Sequence, residues 1–306
     1  MIFRRRRISS SAQAQLIPYP SDRILRRSKP RFYRRLWRIP VLALHLALAF
    51  PLSWWYYGRK AEIDGSALAV FRWWCGVALR ILGIRLRVAG ALPVAPTMLA
   101  ANHVSYLDIL ALAAIRPGQF VAKKEMESWP LFGRLAHRLG TFFIDRGDAR
   151  ASQRVLKEAT KVLRDGRILT IFPEGTTSDG TDVGDFFAAP FETAVSASSM
   201  VVPVTLRYED VLRPGHADRV CPFIGDDTLA GHLWRLTASA PLTLRIHFGS
   251  PLSPQLGRRE LAKETQRLIR ESLQRMEEGA AVTYLDPYRH RLREAWKAWR
   301  HGSQSR

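Results

Sequence analysis

Residues 97–115 read TMLAANHVSYLDILALAAI, and this stretch decides the fold class of the chain. It begins with a short apolar run at 97–101, which is typical of a buried strand. A polar segment follows, and apolar residues then resume over 107–115, a length that favours a helix. A buried strand that leads through a polar loop into a helix is the basic unit of an α/β fold.

The same alternation of strand-like and helical segments continues along the chain. Short apolar runs predict strands at 84–88, 97–101, 119–122, 141–144, 169–172, 201–206 and 242–248. Helical patterns lie between most of them, at 107–115, 130–139, 149–164, 191–198 and 259–276. We therefore expect an α/β fold with a mainly parallel or mixed sheet flanked by helices.

A long uncharged segment, IPVLALHLALAFPLSWWYY, precedes this domain at 39–57. As a helix rising about 1.5 Å per residue, it is just long enough to cross a hydrocarbon layer of roughly 30 Å. Pro40, His45 and Pro51 disfavour a simple spanning helix. A single crossing, a re-entrant pair and a buried core helix all remain open for this segment.

A second apolar segment, 67–86, has arginines among its tryptophans and leucines, which is the pattern of a helix lying among lipid headgroups. Because Arg72, Arg80 and Arg85 interrupt it, we do not expect it to span a membrane. The two segments together predict an N-terminal membrane-attachment helical segment at 39–86.

The chain has 306 residues and a formal net charge of +20, and the positive charge is concentrated at its two ends. Residues 1–38 carry +11 and residues 284–306 carry +4. Such an excess predicts an anionic partner, either nucleic acid or the anionic face of a membrane. A hydrophobic fraction of 47% excludes a mainly disordered protein. Cys75 and Cys221 are too few for a disulfide scaffold and lie in no metal-binding pattern, so we predict no metal site.

A histidine and an aspartate follow the strand predicted at 97–101. His103 leaves this strand and Asp108 comes five positions later, so a loop that folds back brings the carboxylate to one ring nitrogen. Asp108 would then fix the tautomer and make the other nitrogen a general base for a hydroxyl group. Taken alone, the pair is also typical of an ordinary loop histidine and a helix N-cap aspartate.

Two further strand ends carry residues that are suited to a ligand. The guanidinium of Arg146 suits a phosphate or a carboxylate, or alternatively an ion pair with Asp145 or Asp148. The strand that ends at Phe172 is followed by PEGTTS at 173–178. The acid, the glycine and the hydroxyl groups of this segment suit either a polar headgroup or a plain turn.

Four blocks of the sequence recur together in one known family. The first is His103 and Asp108, with Ser105 between them. The others are Lys123 with PLFG at 130–133 and FIDR at 143–146, then FPEGT at 172–176, then VPV at 202–204. In order and spacing, over about residues 85–210, they resemble the HxxxxD motif and later blocks of the glycerolipid acyltransferase family.

The resemblance implies an O-acyltransferase that esterifies the free hydroxyl of a lysolipid. His103 would be the general base and Asp108 its orienting partner, while acyl-CoA or acyl-carrier protein supplies the acyl chain. The acceptor implied first is 1-acyl-sn-glycerol 3-phosphate, which gives phosphatidic acid. No metal or other cofactor is implied. The residues implied for acceptor binding are Ser105, Lys123, Arg146, Glu174, Gly175, Thr176 and Thr177.

One position departs from the family pattern. In members that form phosphatidic acid, the third block usually continues from Gly-Thr to Arg, and here Thr177 holds that position. One fixed cation for a phosphate is then missing, which leaves Arg146 and Lys123. An acceptor without a phosphomonoester, such as lyso-ornithine lipid, is therefore the alternative.

These observations predict the domain organisation and the location of the protein. Lipid substrates favour a membrane lipid surface, rather than nucleic acid, as the anionic partner. The positive-inside rule then predicts re-entrant or interfacial attachment at the cytoplasmic face of the inner or plasma membrane. The predicted parts are a basic N-terminal tail at 1–38, membrane-attachment helices at 39–86, an acyltransferase domain at 87–280 and a basic C-terminal tail at 281–306.

Overall fold

The structure is a computed structural model that describes residues 32–57, 65–128, 133, 136–137, 139–145, 147–209 and 216–278. At positions 50, 52–57, 65–67 and 149 it describes the backbone alone. The predicted tail at 281–306, most of the predicted helix at 130–139 and residues 1–31 lie outside the described residues.

A seven-stranded sheet forms the centre of the fold. Its strands are β1 (Ile84–Ala89), β2 (Thr97–Ala101), β3 (Gln119–Lys123), β4 (Phe142–Ile144), β5 (Ile168–Ile171), β6 (Met200–Glu209) and β7 (Leu242–Phe248). They lie in the order β1-β7-β6-β2-β5-β3-β4. Among these strands, β6 and β7 pair antiparallel and all other neighbours pair parallel. The prediction of an α/β fold with a mixed sheet flanked by helices is confirmed.

Helices cover both faces of this sheet. They are α1 (Phe32–Tyr57), α2 (Gly65–Leu82), α3 (Leu107–Ile115), α4 (Ala149–Arg164), α5 (Glu192–Ser196), α6 (Leu229–Ala238) and α7 (Gly257–Glu277). Strand β2 lies between β6 and β5 and is buried along its whole length, so its alternate side chains enter two different apolar layers. Leu99 and Ala101 pack with residues of α2 and α3. Met98 and Ala100 pack with residues of α4, α5 and α7.

Helix α1 contains the apolar segment predicted at 39–57 and begins ahead of it, at Phe32. It packs against α2, where the His45 ring stacks on Trp74 with ring centroids 4.6 Å apart. Among the helices that the structure describes, none has an apolar stretch of the length needed to cross a membrane.

Arginines at the start of α1 bind the carboxyl end of α6. Arg38 Nη1 and Arg34 Nη1 donate to the carbonyl of Ser239, at 3.0 and 2.8 Å. The Arg35 guanidinium lies over the ring of Trp234, 4.1 Å from its centroid. The last carbonyls of a helix lack partners inside the helix and attract cations. These arginines belong to the stretch predicted as a basic tail, and they connect α1 to α6.

Helix α6 is not predicted from the sequence, whereas strand β1 is found where the run at 84–88 predicts it. No helix is predicted at 229–238, which is short and lies between turn-like segments. The signal that the sequence offers is Thr228, whose side chain accepts from the N–H of Gly231 (3.2 Å) as an N-cap. Strand β1 begins at Ile84 and pairs with β7 along its whole length, so the predicted boundary between 86 and 87 cuts a strand of the sheet.

Candidate active site

Three of the predicted segments meet at the carboxyl edge of the sheet. His103 follows β2, Glu174 follows β5 and Lys123 ends β3. These three strands are parallel neighbours, so their carboxyl ends lie at the same edge. In open α/β sheets, ligands bind outside the carboxyl ends of the strands. The edge is therefore the candidate site.

Asn102 determines where the chain leaves β2. Its side-chain nitrogen donates to the carbonyl of Leu206 (3.0 Å), and its side-chain oxygen accepts from the N–H of Leu206 (2.8 Å). These two hydrogen bonds extend the pairing of β2 with β6 by one residue. They therefore position the loop that carries His103. No role for Asn102 is predicted from the sequence.

The side chains of His103 and Asp108 are in hydrogen-bonding contact. His103 Nδ1 lies 2.9 Å from Asp108 Oδ2. The same oxygen accepts from the backbone N–H groups of Val104 (2.7 Å) and Ser105 (2.9 Å). Asp108 is completely buried in the first turn of α3, where the helix N-terminus favours a negative charge. These donors compensate for the burial of the carboxylate.

Tyr208 of β6 supplies a further hydrogen bond to Asp108. Its hydroxyl donates to Oδ1 at 2.7 Å, the oxygen that does not face His103. Burial, and then the charge of Asp108, raise the pKa of Tyr208 well above its usual value, so the phenol keeps its proton. Sequence reasoning misses this residue. The sequence does offer one signal. Tyr208 lies four positions after Val204, which belongs to the last of the four blocks, and in a strand this spacing puts both side chains on the same face.

The contact with Asp108 determines which nitrogen of His103 is basic. A carboxylate only accepts hydrogen bonds, so the proton of the neutral ring is on Nδ1 and Nε2 holds the lone pair. Nε2 has no hydrogen-bond partner among the described residues. The ring stacks on Phe172 with centroids 4.0 Å apart, and 16% of the His103 side chain is exposed. An external hydroxyl group can therefore reach the basic nitrogen.

Glu174 is buried and bonds to the backbone of the site. Its Oε1 accepts from the N–H of His103 (2.7 Å), and its Oε2 accepts from the N–H of Gly184 (2.9 Å). Burial raises the pKa of Glu174, although these two hydrogen bonds oppose the shift. Glu174 therefore joins the loop after β5 to the loop that carries the histidine. Its predicted contact with an acceptor headgroup stays a prediction.

The other small residues predicted to bind the acceptor lie in different surroundings. Ser105 is completely buried, and its hydroxyl oxygen faces a backbone N–H two residues on (3.4 Å). The Thr177 hydroxyl donates to the carbonyl of Phe223, whereas Thr176 is exposed. Gly175 has a φ of +70°, which few other residues adopt. Acceptor binding by these residues stays a prediction.

Of the two predicted cations, the structure describes only Lys123. Lys123 is half-buried at the end of β3, and Arg146 lies outside the described residues. Asp145 forms an ion pair with Lys124, with the charged atoms 3.0 Å apart. Asp148 accepts from the backbone at the start of α4 and caps that helix. Both acids that were alternative partners for Arg146 therefore have other partners.

The arrangement provides an oriented base rather than an enzyme nucleophile. Within the described part of the chain, no three His, Cys, Asp or Glu side chains are grouped as metal ligands. The imidazole of His103 is held by a carboxylate and open to solvent on its other nitrogen. Such a base can take a proton from an alcohol that attacks an electrophilic carbon.

Comparisons with known proteins show which family the chain resembles. A family model described as Acyltransferase matches residues 85–207. The lyso-ornithine lipid O-acyltransferase of Pseudomonas aeruginosa is 36% identical over 233 residues, which cover 74% of this chain and 89% of the relative. The 1-acyl-sn-glycerol-3-phosphate acyltransferase of Neisseria meningitidis is 37% identical over 234 residues, covering 72% and 85%.

A solved structure has the same fold. The crystal structure of the 1-acyl-sn-glycerophosphate acyltransferase PlsC from Thermotoga maritima matches with a TM-score of 0.58. The match covers 81% of this chain and 98% of that one, at 19% sequence identity. At this level of identity the likeness concerns the fold alone.

Proposed function

Because the chain belongs to the acyltransferase family, we propose that it transfers an acyl chain to the free hydroxyl of a lysolipid. The acyl donor is the thioester of acyl-CoA or acyl-carrier protein. The observation that carries the proposal is the 2.9 Å contact between His103 and Asp108, which leaves Nε2 available to the acceptor hydroxyl.

In the proposed reaction, His103 Nε2 accepts the hydroxyl proton while the acceptor oxygen attacks the thioester carbonyl carbon. Asp108 stabilises the imidazolium that forms. The tetrahedral intermediate then collapses as its carbon–sulfur bond breaks, and Nε2 returns the proton to the departing thiolate. The products are an ester and a free thiol. The route passes through no acyl-enzyme and uses no metal or organic cofactor.

Tyr208 and Glu174 support this chemistry because they position Asp108 and His103. Tyr208 donates to Asp108 Oδ1 and so holds the carboxylate in place beside His103. Glu174 accepts from the backbone N–H of His103 and so fixes the start of the catalytic loop. Neither residue exchanges a proton with substrate in this proposal.

The first candidate acceptor is 1-acyl-sn-glycerol 3-phosphate, with phosphatidic acid as the product. The resemblance of the chain to the Neisseria meningitidis enzyme of that name supports this candidate. Lys123, at the end of β3, and Arg146 are the cations that we propose for the acceptor phosphate.

A second candidate acceptor is lyso-ornithine lipid, which carries no phosphomonoester. The position of Thr177 favours it, because a threonine replaces the usual arginine and its hydroxyl donates to the Phe223 carbonyl. The resemblance to the Pseudomonas aeruginosa lyso-ornithine lipid acyltransferase, over 89% of that protein, also supports it.

A comparison of the two acceptors tests the proposed function. Membranes that contain the wild-type enzyme are supplied with labelled acyl-CoA and either lysophosphatidic acid or lyso-ornithine lipid. The first candidate requires faster acylation of lysophosphatidic acid, and the reverse order selects the second. Failure to acylate either lysolipid, with both acyl-CoA and acyl-carrier protein as donors, contradicts the proposal.

We further propose that α1 lies in the membrane interface on the cytoplasmic face. Exposed apolar side chains recur along one side of this helix at Tyr33, Trp37, Val41, Leu44 and Leu48. Such a stripe is typical of a helix that buries one face among headgroups and acyl chains. Such attachment would bring the enzyme close to its lipid substrates and to the membrane that receives its lipid product.

A wash experiment tests the attachment. Contacts that are purely electrostatic weaken at high salt, whereas a buried apolar face resists it. We expect most of the enzyme to remain with isolated membranes through a high-salt wash and to be released by detergent. Complete release by salt alone contradicts an apolar attachment.

A further inference from the structure

A cavity of ≈ 310 Å³ lies at the edge of the sheet opposite to His103. It forms where α2 passes the amino ends of β2, β3 and β5, and we name it the amino-edge cavity. Its volume falls at the lower end of the range for small-ligand sites, about 300–1,000 Å³. The length of β2, roughly 16 Å at about 3.3 Å per residue, separates it from the catalytic residues. Its lining includes three arginines, Arg72, Arg116 and Arg167.

These guanidinium groups give the amino-edge cavity a positive charge. Arg116 is held in place because its Nε donates to the carbonyl of Pro93 (2.6 Å). Burial lowers the pKa of Arg116, and the nearby charge of Arg72 lowers it further. In the part of the chain that the structure describes, no carboxylate forms an ion pair with either of these two arginines. Their mutual repulsion is a cost that a bound anion would offset.

Arg167 adds a third guanidinium at the side of the cavity formed by β5. It forms an ion pair with Asp165, with the charged atoms 2.7 Å apart. Its charge is therefore partly compensated, while the charges of Arg72 and Arg116 face the cavity without such a partner among the described residues.

Exposed apolar side chains lie on the segments that line the cavity. Trp73 lies one helical turn beyond the lining residue Ala69 on α2 and is 59% exposed. Leu92 and Val94 precede the lining residue Ala95 and are 54% and 77% exposed. Cations bordered by exposed tryptophan and aliphatic side chains are typical of protein surfaces that contact the headgroup region of a bilayer. A soluble anion makes no use of this apolar border.

We propose that the amino-edge cavity binds the phosphate group of a membrane lipid that takes no part in acyl transfer. Guanidinium groups match the oxygens of a phosphate through paired hydrogen bonds. Trp73, Leu92 and Val94 pack against the apolar part of the same lipid. The site gives the enzyme a lipid contact that is separate from both the catalytic residues and the stripe on α1.

Sedimentation of the full-length protein with lipid vesicles tests this site. One set of vesicles contains phosphatidylcholine and phosphatidylglycerol, and the other contains phosphatidylcholine and oleate at a matched surface charge. Arg116→Gln removes a phosphate contact, and Ala69→Phe fills the cavity without changing the charge. We expect each variant to lower the affinity for phosphatidylglycerol vesicles by about tenfold. Affinity for oleate vesicles should stay within about twofold of wild type.

Two control variants separate the site from general charge and from catalysis. Arg87→Gln removes the same charge from an exposed position on β1, and His103→Ala removes the catalytic base. Both should bind phosphatidylglycerol vesicles as the wild type does. Thermal unfolding checks that each variant is folded, and if Arg116→Gln is not, Ala69→Phe carries the test.

Three results overturn the proposal. The first is unchanged phosphatidylglycerol binding in folded cavity variants. The second is an equal loss of binding to both kinds of vesicle in Arg116→Gln, which indicates diffuse charge attraction. The third comes from calorimetry with inorganic phosphate. If Arg116 is needed for inorganic phosphate but not for vesicles, the ligand is a soluble phosphate compound and not a lipid.

Discussion

Replacing Tyr208 by phenylalanine removes one hydrogen bond from Asp108 and leaves the others in place. The Tyr208 hydroxyl donates to Oδ1 at 2.7 Å, whereas the three other donors all reach Oδ2. A hydrogen bond to a charged group is worth about 1.5–3 kcal/mol. Asp108 interacts most strongly with His103 when the ring becomes an imidazolium. Loss of the Tyr208 hydrogen bond should therefore raise the free energy of the transition state. We therefore expect kcat/KM to fall by about 10- to 100-fold.

The assay measures initial rates of acyl transfer from labelled acyl-CoA over a range of lysolipid concentrations. Tyr106→Phe is the matched control, since Tyr106 is also buried but its hydroxyl lies 3.0 Å from His232 Nδ1. The control should lose about 1 kcal/mol of unfolding free energy and keep kcat/KM within about twofold of wild type. A positioning role for Tyr208 is contradicted if folded Tyr208→Phe retains wild-type kcat/KM, or if both variants lose activity equally.

Two further predictions concern stability and pH. Burial raises the pKa of Glu174 above its ordinary 4.5, so in the window above 4.5 the folded state holds more protons than the unfolded state. The contribution of Glu174 to the unfolding free energy therefore falls as pH rises through that window. Glu174→Gln should remove this slope in urea unfolding, and an unchanged slope argues against it. Burial lowers the pKa of His232 from 6.5 to about 4, so the unfolded state takes up the proton first as pH falls. His232 should thus contribute about 3 kcal/mol that is present above pH 6.5 and lost towards pH 4. His232→Gln should lose less stability than wild type over the same range, and an equal loss contradicts this origin.

The local parts of the site follow from the sequence, because short loops allow few arrangements. His103 and Asp108 are separated by four residues, so the carboxylate reaches the ring as soon as the loop folds back onto the start of α3. The strand that precedes them also follows from the pattern, since five consecutive buried residues favour a central strand. These features depend on neighbours in the chain.

Contacts between segments that are distant in the chain cannot be predicted from this sequence. Tyr208 lies one hundred positions from Asp108, and the residues between them give no indication that they meet. The carboxylate of Glu174 is visible in the sequence, but its two backbone partners depend on how the loop after β5 folds and packs against the loop after β2.

The basic start of α1 shows a second kind of difference. Its arginines predict an anionic surface, because the sequence records charge and not the internal acceptors of that charge. In the structure, Arg34 and Arg38 instead bind the Ser239 carbonyl at the end of α6. Because α6 is not predicted, the sequence does not indicate that the carbonyl groups at its end are hydrogen-bond acceptors for these arginines. The unrecognised helix therefore hides an internal role of Arg34 and Arg38, while the contact of the basic N-terminal stretch with an anionic membrane surface stays a prediction.

The role of His103 as the general base can be measured through the rate of acyl transfer by His103→Ala, with the preferred lysolipid and a labelled acyl donor. The variant must unfold at the same temperature as wild type, so that a loss of rate reports on chemistry. We predict a fall in kcat of at least about 100-fold, because the acceptor hydroxyl then has no base. A folded His103→Ala enzyme that keeps more than about a tenth of the wild-type rate contradicts the central claim.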